Sequence, residues 1–130
     1  MRKIIVVCLF LGLISCKSQE KKDTSFIDVS VEDFQRLISK EGVQLVDVRT
    51  PQEFNAGHIK NAKLIDFYNS SFDEQSAKIL DKNKPVYLYC RSGGRSANAA
   101  KKYKEAGFTE VYNLLGGMNA WSAKNLKIEK

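Results

Sequence analysis

From Phe26 onward, short apolar runs alternate with amphipathic stretches, and the period of apolar positions switches between two and about 3.6. Phe26-Ile-Asp-Val predicts a short first strand. Val31, Phe34, Leu37 and Ile38 then share one helical stripe that ends near Gly42. Ser30-Val-Glu-Asp33 opens it as a capping box with aspartate in the usual glutamate place. Val43-Gln-Leu-Val-Asp-Val48 is a β-branched strand, and Pro51 suits the first turn of a short helix through Phe54. Ala62 to Phe67 reads as a strand, Ser71 to Leu80 as a helix, and Asp81-Lys-Asn-Lys-Pro85 as a turn. Val86, Leu88 and Cys90 alternate with Tyr87 and Tyr89, which suits a strand covered on both faces. Ala97, Ala99, Ala100, Tyr103 and Ala106 support a helix to about Glu105, stopped by Gly107. Val111 to Leu115 is a last strand and Met118 to Asn125 a last helix. This alternation predicts an α/β fold: a mainly parallel central sheet of about five strands, helices on both faces, right-handed crossovers. Ligands of such sheets bind at the carboxyl ends of strands, where both Cys90 and the Asp47 to Arg49 segment stand.

The strand that ends at Cys90 leads into Arg91-Ser-Gly-Gly-Arg95-Ser96 and then directly into a helix. Gly93 and Gly94 permit a tight turn with several N–H groups directed inward. Those donors and the positive helix end favour negative charge at the centre, which is where Cys90 stands. A free thiol titrates near ~8.5, and such surroundings lower it to within roughly 3.5–7.5. Arg91 and Arg95 add fixed positive charge; Arg95 is placed to fork onto an anion or onto loop carbonyls. Ser96 either caps the helix or hydrogen-bonds the sulfur. A lone cysteine at a strand end is usually packing, but an inert one needs neither the glycines nor the arginines. Cys90 is therefore the candidate nucleophile, and Arg91, Ser92, Gly93, Gly94, Arg95 and Ser96 the candidate substrate-binding loop.

Cys90-Arg-Ser-Gly-Gly-Arg95-Ser96 resembles the active loop of single-domain rhodaneses, the thiosulfate sulfurtransferase family. Val46-Asp-Val-Arg49-Thr-Pro-Gln-Glu53-Phe54-Asn-Ala-Gly57-His58-Ile59 resembles the family's early signature. Leu114-Leu-Gly116-Gly117-Met-Asn-Ala-Trp121 resembles its late one. The resemblance runs from about Phe26 to Ala123 and implies a rhodanese-like fold, sulfane-sulfur transfer through a Cys90 persulfide, and no cofactor. The loop leans toward a small anionic donor such as thiosulfate; the thiol acceptor or reductant is unspecified. Related phosphatase and arsenate reductase domains have a histidine before the cysteine and five residues before the arginine. Here Tyr89 precedes Cys90 and four residues lie before Arg95, a smaller loop that fits a single sulfur better than a tetrahedral phosphate. A persulfide carrier or redox-sensing module needs the same loop, so carrier and catalyst both remain open at this stage.

Asp47, Arg49, Glu53 and His58 have supporting roles. Arg49 either contacts an anionic substrate or forms an ion pair with Glu53 that ties the strand end to the following turn; buried arginines are usually paired, which favours the second. His58 is a hydrogen-bonding residue that fixes its loop, Trp121 a core anchor, and Gly116 and Gly117 provide backbone geometry near the rim.

The first residues stand apart from this domain. Arg2 and Lys3 precede an eleven-residue apolar stretch, Ile4 to Ile14, too short for a spanning helix of roughly 20 residues. Residues 1–15 therefore read as a signal peptide, and Leu13-Ile-Ser-Cys16 as a bacterial lipobox with Cys16 lipidated. Residues 16–25 form a polar tether and residues 26–130 the domain. The expected location is the exported, lipid-anchored cell envelope, with the outer membrane favoured because Lys17 follows Cys16. Cys8 leaves with the leader, so Cys90 is the one free thiol in the mature chain. One free cysteine and the single His58 cannot complete a structural zinc site. The formal charge is +6; losing Arg2 and Lys3 with no acid leaves +4. The cations are scattered, and the run at Lys101, Lys102 and Lys104 lacks the interleaved aromatics of a nucleic-acid surface.

Overall fold

The computed structural model describes residue 23 and residues 25–130. The expected leader, Cys16 and all of the tether except Asp23 and Ser25 lie outside the described residues. Five strands make one sheet: β1 (Ile27–Val29), β2 (Gln44–Asp47), β3 (Lys63–Leu64), β4 (Val86–Tyr89) and β5 (Val111–Leu114). Between and after them run α1 (Val31–Ile38), α2 (Pro51–Ala56), α3 (Phe72–Ile79), α4 (Gly94–Glu105) and α5 (Gly117–Ala123). The spatial order is β1-β5-β4-β2-β3 and every pairing is parallel.

The two-residue period of β4 sorts its side chains between two cores. Val86, Leu88 and Cys90 pack with Val46, Val48, Val111 and residues of α3 and α4, among them Phe72, Ala99, Ala100 and Tyr103. Tyr87 and Tyr89 pack on the other face with Leu45, Leu114, Phe34 of α1, and Met118 and Trp121 of α5. Every residue of β2 and β4 is buried, as two covered faces require. On α1 the expected stripe is present, with Val31 and Phe34 buried and Leu37 and Ile38 packed at the edge.

Element boundaries moved where hydrogen bonding overrode hydrophobic pattern. The run Ala62 to Phe67 yields only two ladder residues. Beyond them Ile65 and Phe67 donate to the carbonyls of Asp47 and Val48, each at 3.0 Å. Two residues of the segment after β3 then advance against one of the segment after β2, and the even parallel spacing ends. At α1 the Ser30 hydroxyl accepts the Asp33 N–H at 3.2 Å, but Asp33 turns outward to Arg36 at 2.6 Å, so only half a capping box forms. The complete box belongs to α2: Thr50 and Glu53 bond each other's backbone reciprocally.

The connection after β2 leads to β3 on one side, and the connection after β4 leads to β5 on the other. The carboxyl ends of β2 and β4 thus flank the switch point of the sheet, where a crevice opens in folds of this kind. Cys90 and the Asp47 to Arg49 segment both stand there.

Candidate active site

Cys90 follows β4 directly and is 1% exposed. Gly93 turns the chain with φ +105°, caps α4, and donates its N–H to Cys90 Sγ at 3.0 Å. A side chain at Gly93 would be strained in this conformation, although its Cβ would only touch Gly116 N, 3.4 Å away. Ser96 lies inside α4, not at its cap, and its hydroxyl reaches Sγ at 3.3 Å and the Gly93 carbonyl at 3.2 Å. Burial pushes the Cys90 thiol up, but the Ser96 hydroxyl and the backbone N–H groups of Ser96, Gly93 and Ser92 together outweigh it. The net displacement is below the ordinary thiol value.

The late glycine pair explains why the loop N–H groups are free to face the sulfur. Met118 N donates to the Cys90 carbonyl at 2.8 Å and Asn119 N to the Arg91 carbonyl at 3.0 Å. The opening turn of α5 therefore takes the loop's carbonyls outward. Gly117, with φ +54°, sits so close that a Cβ would collide with the carbonyls of Cys90 and Arg91.

The two motif segments at this end of the sheet carry three arginines in three different states. Arg49 is 4% exposed and does not pair with Glu53 as the sequence suggested. It forks onto Asp47, with Nη2 to Oδ2 at 2.6 Å and Nε to Oδ1 at 2.9 Å, and donates to the Gly57 carbonyl at 2.7 Å. Two residues apart in an extended segment, Asp47 and Arg49 share a side, whereas Glu53 points away along α2. Burial works against the Arg49 charge, and Asp47 overcomes it, so its pKa lies above the ordinary value. Arg95 is the arginine that takes Glu53, through Nη1 to Oε2 at 2.8 Å and Nη2 to Oε1 at 2.7 Å. In this arrangement the Arg95 fork is taken by Glu53 and not by loop carbonyls. Arg91 is exposed, and no side-chain hydrogen bond or ion pair engages it among the described residues.

His58 stacks on Phe54 with ring centroids 3.8 Å apart, and its Nδ1 lies 3.0 Å from the Phe54 carbonyl. Its backbone pairs with Glu129 in both directions at 2.8 Å, which joins this corner to the C-terminal segment. Trp121 is buried and donates Nε1–H to the Lys127 carbonyl at 3.1 Å. Ser92 and Gly94 complete the loop, both exposed.

Sequence reasoning missed two residues of the rim. Thr50 holds Glu53 through its N–H and its hydroxyl, each at 3.0 Å. The Thr-x-x-Glu spacing could have shown this. Tyr68 lays its ring 5.3 Å from the Arg95 guanidinium carbon and is 67% exposed. Only the fold brings the β3–α3 connection to α4, so no local signal marked Tyr68.

Residues 30–124 match the family model described as "Rhodanese-like domain". The chain belongs to the rhodanese-like family. The thiosulfate sulfurtransferase GlpE of Vibrio cholerae is 36% identical over 80% of this chain and 95% of its own length. The uncharacterized protein YqhL of Bacillus subtilis is 44% identical, and the match spans 62% of each chain. Among solved structures, a rhodanese-like domain protein from Staphylococcus aureus superposes with TM-score 0.67 at 31% identity, over 81% of this chain and all of that one. The polysulfide-sulfur transferase homodimer of Wolinella succinogenes gives 0.68 at 32% identity, over 83% and 80%. Rhodanese-like relatives named for sulfur transfer thus share both the fold and the matched sequence of this domain.

Proposed function

We propose that this rhodanese-like domain moves sulfane sulfur from a small anionic donor, such as thiosulfate, to a thiol acceptor through a persulfide on Cys90. The observation that carries the reading is the convergence of hydrogen-bond donors on one sulfur: Gly93 N–H, the Ser96 hydroxyl, and the backbone of Ser92 and Ser96. The thiolate attacks the outer sulfur of the donor. A new S–S bond forms, the donor's S–S bond breaks, and sulfite departs with the electron pair. The terminal persulfide sulfur then occupies the N–H cradle, whose dipoles are already oriented toward negative charge. An acceptor thiolate attacks that sulfur and releases the Cys90 thiolate. Arg91, exposed and unengaged among the described residues, draws the donor anion to the mouth.

The test is the intact mass of the detergent-solubilised chain before and after thiosulfate. A gain of one sulfur, removed by cyanide or a thiol and absent in Cys90→Ser, is the expected result. No adduct on the native chain, or an adduct retained by Cys90→Ser, overturns the mechanism.

A second reading, a persulfide carrier serving one docked partner, is favoured by a relative named putative sulfur carrier protein YrkF, from Bacillus subtilis. It is 34% identical over 78% of this chain and 54% of its own length. Multiple turnovers with small thiols distinguish catalyst from carrier. We also infer that the chain is exported and anchored by lipid on Cys16, from the basic, apolar and Leu-Ile-Ser-Cys order of its first residues. Cys16→Ala is expected to leave the membrane fraction in cell fractionation; full retention overturns the anchor.

A further inference from the structure

The Glu53 carboxylate accepts four hydrogen bonds, from Thr50 and from Arg95 of α4. Its Oε2 accepts the Thr50 N–H and the Thr50 hydroxyl at 3.0 Å each, and Arg95 Nη1 at 2.8 Å. Its Oε1 accepts Arg95 Nη2 at 2.7 Å. Tyr68 covers the Arg95 guanidinium from the side, with 5.3 Å from its carbon to the ring centroid. Arg95 is thus gripped by a planar fork and an aromatic face, the two contacts that suit a guanidinium best. Thr50 holds the carboxylate in turn, so the fork cannot swing away with Glu53.

The charge balance at the rim follows. Asp47 neutralises Arg49 and Glu53 neutralises Arg95. One cation of the three, Arg91, has no carboxylate partner among the described residues. Without Glu53, the rim would carry two.

We propose that Glu53 is a specificity-determining residue of the cradle: by holding Arg95 it withholds the loop's second arginine from incoming anions, which are then bound by Arg91 and the loop N–H groups alone. This rests on the sulfurtransferase reading, in which an anion enters, reacts and leaves as sulfite. A site that held tetrahedral dianions with two arginines and a ring of N–H groups would be occupied by sulfate and phosphate and would release sulfite slowly. The Glu53–Arg95 pair keeps binding weak enough for exchange while α4 remains fixed. Glu53 touches no reacting atom; it acts through Arg95.

Sulfate is the probe, because it binds as an anion and cannot donate sulfur. Its affinity for the detergent-solubilised full chain is read from the rise of the unfolding midpoint with sulfate, at ionic strength balanced with chloride. Glu53→Gln is expected to tighten sulfate binding by about tenfold or more, the scale of a released charged hydrogen-bond donor. Arg95→Gln is expected to bind sulfate no more tightly than the native chain. The double variant Glu53→Gln/Arg95→Gln should return to within about twofold of native, since the pair is neutral whether present or absent. A purely structural brace predicts no such return.

Sulfate affinity in Glu53→Gln equal to or weaker than native overturns the proposal, as does a double variant that stays at the tightened value. If Glu53→Gln alone fails to fold, the double variant is compared with Arg95→Gln, whose Glu53 charge is then uncompensated and repels anions. The double variant should bind sulfate more tightly; equal affinity overturns the assignment. None of these readouts needs sulfur transfer. Failure of the thiosulfate mass gain would remove the sulfurtransferase reading and leave the sulfate result to be judged by itself.

Discussion

Cys90 shows how the neighbours of a buried thiol can offset the electrostatic cost of its burial. Burial to 1% exposure raises a thiol's pKa, yet donors from one short loop outweigh that and set it below the ordinary value. The Ser96 hydroxyl is the largest of these favourable contributions. Ser96→Ala is therefore expected to raise the thiol pKa, read from the pH dependence of thiolate ultraviolet absorbance, and to slow persulfide formation at neutral pH. An unchanged midpoint would mean the backbone donors suffice. The linkage has a definite sign. The folded value is the depressed one, so thiolate formation stabilises the fold above the unfolded thiol's pKa, and that contribution is lost as pH falls through the folded value. Gly117 is the opposite kind of residue, essential for lacking a side chain. With φ +54° and the Cys90 and Arg91 carbonyls against it, Gly117→Ala should cost about 2–3 kcal/mol or more and displace the loop. Urea unfolding and the thiosulfate mass gain both report it.

At the scale of elements, one carboxylate joins the β2–α2 corner to the first turn of α4. Arg95 holds Glu53 down at about 2, from an ordinary 4.5, and Thr50 assists. A depressed carboxyl contributes stability that is complete above its unfolded pKa and lost as pH falls through the folded one. The native chain should thus lose stability between about pH 4.5 and 2 through this group, and Glu53→Gln should flatten that part of the acid profile in urea titrations. The partly exposed pair is screened by solvent, so its share stays below the full linkage value. The sequence held half of this arrangement. Thr-x-x-Glu specifies the box on α2, a local pattern. The bond from Glu53 to Arg95 spans 42 residues, and no local rule reaches that far. For the same reason Arg49 and Glu53 looked like partners: they are near in sequence, but a strand end and a helix point them in different directions.

At the scale of the molecule, β4 is the middle of the sheet and the foundation of the site. Leu88 is fully buried, one turn of the pleat before Cys90 and on the same face. Leu88→Ala should cost about 2–5 kcal/mol in urea unfolding. The order of strands and helices was legible because apolar period agrees with local punctuation, the Ser30 cap before α1, Pro51 at the start of α2 and Gly107 after α4. The sulfur loop was legible because its residues are contiguous. The short β3 and the early start of α4 at Gly94 were not, since each depends on a hydrogen bond whose partner lies elsewhere or on a φ that glycine merely permits.

The sequence by itself determined the alternating α/β order and a cysteine followed by a glycine-rich, donor-bearing turn; both follow from local pattern and backbone preference. Tertiary structure decided which charges meet. Parallel pairing sets β2 beside β4, and α4 then carries Arg95 to Glu53 and Tyr68, while Arg49 turns inward to Asp47. Electrostatic partnership depends on distance in space, and chain separation is a poor guide to it. That is why a sequence with two arginines in its loop folds into a site where Arg95 is held by Glu53 and Arg91 stands exposed.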